Sequence, residues 1–109
     1  MTVEAFAMKA QLTVLRMPTP EREISGAYVG DLLSWVMGKA DTGNVWITIM
    51  SNVNIVAVAT LADTSCILLA EGVVPEADVL DTAMAKGVNI LTSELSAYEL
   101  AKKISSLVI

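Results

Sequence analysis

Apolar positions are densest between residues 43 and 72, and this segment predicts the centre of the fold. Residues 45–50 are β-branched, aromatic and other largely apolar side chains with no charge on either alternating face, which is typical of a strand covered on both sides. After a polar turn, residues 55–61 are too apolar all round to predict a helix with one wet face. Residues 66–70 repeat the composition of the buried strand. The pattern predicts a βαβ unit with parallel strands and a right-handed crossover.

The residues before this unit predict two helices and two strands. Apolar residues at helical spacing predict a helix over residues 2–11, and residues 12–17 and 24–29 have strand patterns. A second helix is expected to begin at Asp31, whose carboxylate would accept hydrogen bonds from the first turn, and to end at Gly38. Its expected buried stripe is Leu32, Leu33, Val36 and Met37.

The residues after the unit predict a helix, a short strand and a final helix. Pro75 suits the first position of a helix that Gly87 would end. Residues 88–91 predict the last strand. A capping box that starts at Ser96 predicts a helix over residues 97–107.

Together these elements predict the α/β class. We expect one domain over residues 1–109, a layered sandwich with a largely parallel sheet of about five strands and helices on both faces. A chain of 109 residues buries roughly two-thirds of its unfolded surface, which is enough for a substantial core.

The hydrophobic fraction adds an expectation about assembly. It is 54%, with a mean hydropathy of +0.60, whereas a typical domain is about 45–50% apolar. No run reaches the ~18 apolar residues of a membrane span, so we expect no membrane insertion. The excess is better explained by a subunit interface, which predicts a homodimer or a higher oligomer.

Charge and missing residue types exclude several function classes. The net charge is −5 and the seven basic residues are dispersed, which argues against nucleic acid as a partner. The start of the chain lacks the features of a signal peptide, so we expect a cytoplasmic location. Histidine is absent, which removes the commonest general base and metal ligand, and Cys66 is expected to be a buried core residue. We predict no cofactor and no metal site.

Polar residues follow the predicted parallel strands at their carboxyl ends. In open α/β sheets small molecules bind outside these ends, and the free amides of a helix start attract anions. The interpretation that these residues only cap helices and form turns competes with ligand binding at each position. The candidate ligand-binding residues are Ser51, Asn52, Asn54, Glu71, Gly72, Ser93 and Glu94.

The order of several short motifs points to a known family. The motifs are Gly30-Asp31-Leu32-Leu33, Trp46-Ile47-Thr48, Asn54-Ile55-Val56-Ala57-Val58-Ala59, Glu71-Gly72 with Pro75, and Leu91-Thr92-Ser93. In their order and spacing they resemble a small stand-alone DRTGG domain, from about residue 12 to the C-terminus. The family is named for an Asp-Arg pair and a Thr-Gly-Gly triplet at successive strand ends. The pair would fall at residues 51–54 and is absent, and the triplet is Ala70-Glu71-Gly72, so the motif is degenerate.

The resemblance implies a regulatory or accessory module, similar to the DRTGG domains of phosphotransacetylases, HPr kinase/phosphorylase and CBS-containing pyrophosphatases. It implies dimers without catalytic residues, and in the pyrophosphatases the neighbouring regulatory region responds to adenine nucleotides. Our first hypothesis is therefore a non-catalytic homodimeric module that binds a small, nucleotide-like ligand or a redox or metabolic partner protein. The alternative is a small enzyme that uses Glu71, Glu94 or Ser51 on a phosphorylated or acyl substrate.

Overall fold

The computed structural model describes residues 1–108, which form five helices and five strands in the order α1-β1-β2-α2-β3-α3-β4-α4-β5-α5. Ile109, the last residue of the predicted single domain, lies outside the described residues. The helices are α1 (Val3–Lys9), α2 (Leu33–Lys39), α3 (Asn54–Ala62), α4 (Ala77–Lys86) and α5 (Ala97–Leu107). The strands are β1 (Thr13–Arg16), β2 (Gly26–Val29), β3 (Asn44–Thr48), β4 (Cys66–Leu69) and β5 (Ile90–Thr92).

The five strands form one mixed sheet in the order β1-β5-β4-β3-β2. Strands β2 to β5 are parallel, whereas β1 runs antiparallel to β5 at the edge. Val45 of β3 lies opposite Cys66 of β4 in the parallel pairing. The predicted βαβ unit and the largely parallel five-stranded sheet are confirmed.

Helices cover both faces of the sheet, as predicted. Side chains alternate across a strand, so Val45 and Ile47 pack in a core with residues of α1 and α5, whereas Trp46 packs with residues of α2, α3 and α4. The three helices between consecutive parallel strands share one face because each crossover has the same hand. Helix α5, which follows β5, packs on the other face together with α1, so the chain changes sides of the sheet between α4 and α5.

The expectation that α3 has no wet face is wrong. Its inner row, which includes Ile55 and Val58, is buried, but Ala57, Thr60 and Leu61 are exposed, and Leu61 retains 74% of its accessible surface. The helix lies in the outer layer between α2 and α4, so only the side toward the sheet and its two neighbours is covered. The apolar composition of α3 predicted more burial than its position in the outer layer provides.

Helix α2 also differs from its prediction. It begins at Leu33 after Leu32, without a side-chain cap from Asp31, and it ends at Lys39 rather than at Gly38. Of the predicted buried stripe only Val36 is buried, because this short helix follows the edge strand β2 and presents a single row to the sheet.

The predicted limits of the last two helices were better. Helix α4 begins at Ala77, two residues after Pro75, and Gly87 ends it in the left-handed conformation, with φ of 74°. Helix α5 spans the predicted residues, and the Ser96 hydroxyl accepts a hydrogen bond from the Glu99 amide at 3.3 Å, one half of the predicted capping box.

Candidate functional site

The carboxyl ends of the four parallel strands meet at one edge of the sheet. This carboxyl edge consists of residues 30–32, 49–53, 70–76 and 93–96, which link each of these strands to the following helix. All seven candidate ligand-binding residues lie at or beside it, because parallel strands bring their ends together.

An open cleft of about 640 Å³ lies at the carboxyl edge between the β3–α3 loop and the start of α4. We call it the cleft. Five apolar and four polar side chains line it, among them the predicted Ser51 and Asn52. The lining residues are Ile49, Met50, Ser51, Asn52, Val53, Val74, Glu76, Asp78 and Val79. The lining includes no lysine and no arginine.

The β3–α3 loop is shaped by its own polar groups. The Asn52 side-chain oxygen accepts a hydrogen bond from the Asn54 amide at 2.9 Å, which turns the chain into α3. The Met50 amide donates to the Thr48 hydroxyl at 3.2 Å. Ser51 and Asn52 are exposed, so both side chains can contact a ligand in the cleft. Asn54 does not line the cleft and instead borders a groove of about 480 Å³ between α3 and α4.

The other four candidate residues form a separate contact beside the cleft. The Glu71 amide donates to the Leu95 carbonyl at 2.9 Å, and the Gly72 amide donates to the Ser93 carbonyl at 2.7 Å. Glu71 and Gly72 both have positive φ, 60° and 72°. The Glu94 carboxylate lies directly against Gly72. Because these two amides are already used between the loops, they are not available to hold an anion.

Asp31 is a carboxyl-edge residue whose role the sequence interpretation missed. Its carboxylate accepts hydrogen bonds from the Thr48 hydroxyl at 2.7 Å and from the Ile49 amide at 3.1 Å. The Trp46 indole donates to the Gly30 carbonyl at 2.8 Å. These bonds tie the end of β2 to the end of β3 at one wall of the cleft. Asp31 follows the end of a predicted strand, which is the sequence signal for a carboxyl-edge residue. The sequence does not show that β3 is the neighbouring strand, so it does not reveal the bonds of Asp31 to Thr48 and Ile49.

Residues 1–108 offer little support for a metal site, a reactive thiol or a membrane-spanning helix. No group of three or more Cys, Asp or Glu side chains there could hold a metal ion. Burial raises the pKa of the Cys66 thiol to about 12, against smaller lowering effects of a hydrogen bond with Ser65 and of the charge of Arg22, so the thiol remains neutral at physiological pH. None of the helices described has both the length and the apolar character that a bilayer crossing requires.

Comparison with known proteins finds a matching family and a similar solved structure. The family model of the DRTGG domain matches residues 31–107. The crystal structure of the CBS and DRTGG domains of the regulatory region of Clostridium perfringens pyrophosphatase, complexed with the activator diadenosine tetraphosphate, superposes with a TM-score of 0.76 at 10% identity. The match covers 94% of this chain and 45% of that one, so this chain spans less than half of the pyrophosphatase fragment. No curated protein gives a significant match.

Proposed function

Since this chain belongs to the DRTGG domain family, we propose that it is a non-catalytic regulatory or accessory module that binds a small ligand in the cleft. The observation that carries the proposal is the position of the cleft: it opens at the carboxyl ends of parallel strands, where ligands bind in sheets of this type, and Ser51 and Asn52 line it.

The ligand we propose is nucleotide-like. The pyrophosphatase regulatory region, which shares this fold, was crystallised with diadenosine tetraphosphate. In the present chain the apolar lining suits a heterocyclic base, and the hydroxyl of Ser51 and the amide of Asn52 suit the polar atoms of a base or a sugar. Because the lining has no cation, we expect the nucleoside portion to lie in the cleft and any phosphates to extend into solvent.

A thermal-shift screen tests this proposal. The probes are adenosine, ATP, diadenosine tetraphosphate, acyl-CoA and phosphorylated metabolites, each added to the purified protein. A ligand at about 100 times its dissociation constant should stabilise the fold by roughly 2.7 kcal/mol. Stabilisation by the adenosine compounds supports the proposal, whereas no shift with any of them at millimolar concentration would refute it.

The exposed carboxylates support the non-catalytic assignment over the enzyme alternative. Glu71 and Glu94 lie on touching loops but outside the cleft, and both are exposed to water. Ser51 is exposed in a loop of a chain that has no histidine to act as its base. A cytoplasmic location stays a prediction.

We also propose that the module is a homodimer, with the outer side of α3 as its interface. Helix α3 contains no charged residue, and its exposed side presents Ala57, Thr60 and the highly exposed Leu61. The groove between α3 and α4 lies beside Leu61, so two antiparallel copies could each insert this side chain into the groove of the other. In a chain with net charge −5, an uncharged helix face avoids repulsion between copies.

A further inference from the structure

Formal charge is distributed unevenly over the molecule. Residues 30–36, 49–57, 70–80 and 93–100 comprise the carboxyl edge and the first turns of the helices that follow, and they contain six acidic residues and no lysine or arginine. The rest of the chain holds the other six of the 12 acidic residues and all seven basic ones. The carboxyl edge and these first turns together carry −6 and the remainder +1, which gives the net charge of −5. The six residues are Asp31, Glu71, Glu76, Asp78, Glu94 and Glu99.

Local structure accounts for only some of these carboxylates. Asp31 accepts its two hydrogen bonds from Thr48, the last residue of β3, and from Ile49 after it. Asp78 and Glu99 lie in the first turns of α4 and α5, where the helix dipole favours negative charge. Within residues 1–108 the ion pairs all lie elsewhere. They join the Met1 amine to Glu23, Arg16 to Asp81, and Arg22 to Asp63. No cation of the described chain is thus paired with the carboxyl edge.

The cleft combines this charge with exposed apolar surface. Ile49, Val53 and Val74 retain 50%, 48% and 58% of their accessible surface, although all three line the cleft. Glu76 and Asp78 are exposed on the wall formed by the start of α4. An apolar pocket beside unpaired carboxylates is complementary to an apolar side chain that is flanked by positive charges.

We infer that the cleft is also a docking site for a basic segment of a partner protein, with an aliphatic or aromatic side chain inside the cleft and lysine or arginine side chains beside Glu76 and Asp78. The inference rests on the proposed function in using the same cleft. A small ligand in the cleft would compete with this segment, which gives the module a way to couple ligand concentration to partner binding.

The test uses three synthetic peptides: a lysine-rich peptide with two central leucines, the same peptide with serines for leucines, and the same peptide with glutamates for lysines. We expect the lysine–leucine peptide to bind and to shift the amide resonances of residues 49–53, 74 and 76–79. The serine peptide should bind about tenfold or more weakly, because it loses the burial of its leucines. The glutamate peptide should not bind.

Two charge variants locate the peptide site. Glu76→Gln with Asp78→Asn should weaken binding of the lysine–leucine peptide about threefold to tenfold at low salt. Glu21→Gln with Asp41→Asn removes the same charge from exposed positions outside the carboxyl edge and should leave the affinity unchanged.

Equal losses in the two double variants, equal binding of the leucine and serine peptides, or no binding of either would overturn the inference. The thermal-shift screen with small molecules is a separate measurement. If it succeeds while the peptides fail, only the partner assignment is wrong.

Discussion

The Glu94 carboxylate occupies the space beside Gly72 that a larger residue at that position would need. A Cβ built on Gly72 would lie 2.5 Å from Glu94 Oε2, and the Gly72 φ of 72° already favours glycine. The contact lies between the loops after β4 and β5, which are joined by the hydrogen bonds of the Glu71 and Gly72 amides. These bonds fix the part of the carboxyl edge next to the cleft.

Substitution of Gly72 by alanine should therefore be costly. Gly72→Ala should lower the free energy of unfolding by about 1–2 kcal/mol, mainly because alanine is strained at a φ of 72°, whereas the exposed end of the Glu94 side chain can move away from the new methyl group. In a Glu94→Ala background most of this cost should remain, because φ stays positive. Denaturant unfolding measures the free energy of unfolding in the wild-type and in the Glu94→Ala background. Gly38→Ala is the matched control: nothing lies within 4 Å of its added Cβ, so this helical change should stabilise by about 0.5–1 kcal/mol. Loss of the cost in the Glu94→Ala background would refute the assignment to backbone strain.

Glu71 offers the opposite experiment. Glu71 has a φ of 60°, and this conformation costs a residue other than glycine about 1 kcal/mol or more of folding free energy. Glu71→Gly should raise the free energy of unfolding by up to about 1 kcal/mol, whereas Glu76→Gly, an exposed acidic residue with φ of −68°, should lower it. Urea melts of the two variants make the comparison, and stabilisation of both or of neither would contradict the assigned strain.

The Cys66 thiol should not react with thiol reagents in the native protein. Burial raises the pKa of its thiol from 9.0 to about 12, so a thiol reagent at pH 8 should label it only after unfolding. Because the folded pKa lies above the unfolded value, the stability tied to the neutral thiol is complete below pH 9 and is lost as pH rises toward 12. That loss is about 1.4 kcal/mol per pH unit. Cys66→Ala should lack this part of the alkaline destabilisation, and rapid labelling of the folded protein would show that the burial is wrong.

The proposed dimer predicts that one surface leucine controls assembly. Leu61→Glu places a charge on the outer side of α3 and should convert a dimer into a monomer at micromolar concentration, as measured by light scattering. Met8→Glu is the control, because Met8 is similarly exposed, at 73%, but lies on α1 across the sheet. A monomeric wild-type protein, or a Leu61→Glu variant that remains dimeric, would refute this interface.

Sequence patterns predicted the sheet better than the details of its edge. Uniformly apolar runs identified β3 and β4 as parallel neighbours, because only helices on both faces can cover such strands. The same composition misled for α3, because whether Leu61 is covered depends on the neighbouring helices and not on α3 itself.

The site shows the same division between local and tertiary information. Ser51 and Asn52 were predictable because they directly follow a buried strand. The bond between Asp31 and Thr48 was not, since it depends on which strands are neighbours. Residues 71 and 72 both adopt positive φ, so both positions favour glycine, and the strain falls on Glu71, which is not glycine.

The proposed nucleotide site depends on Ser51 and Asn52, and their substitution tests it. The measurement is the ligand-induced shift in the unfolding midpoint of Asn52→Ala, alone and with Ser51→Ala. The control is Asn54→Ala, whose changed side chain borders the α3–α4 groove instead. A shift produced by adenosine or ATP should be lost in the Ser51 and Asn52 variants and kept in Asn54→Ala. A full shift in the Ser51 and Asn52 variants would show that the ligand does not bind through these two residues.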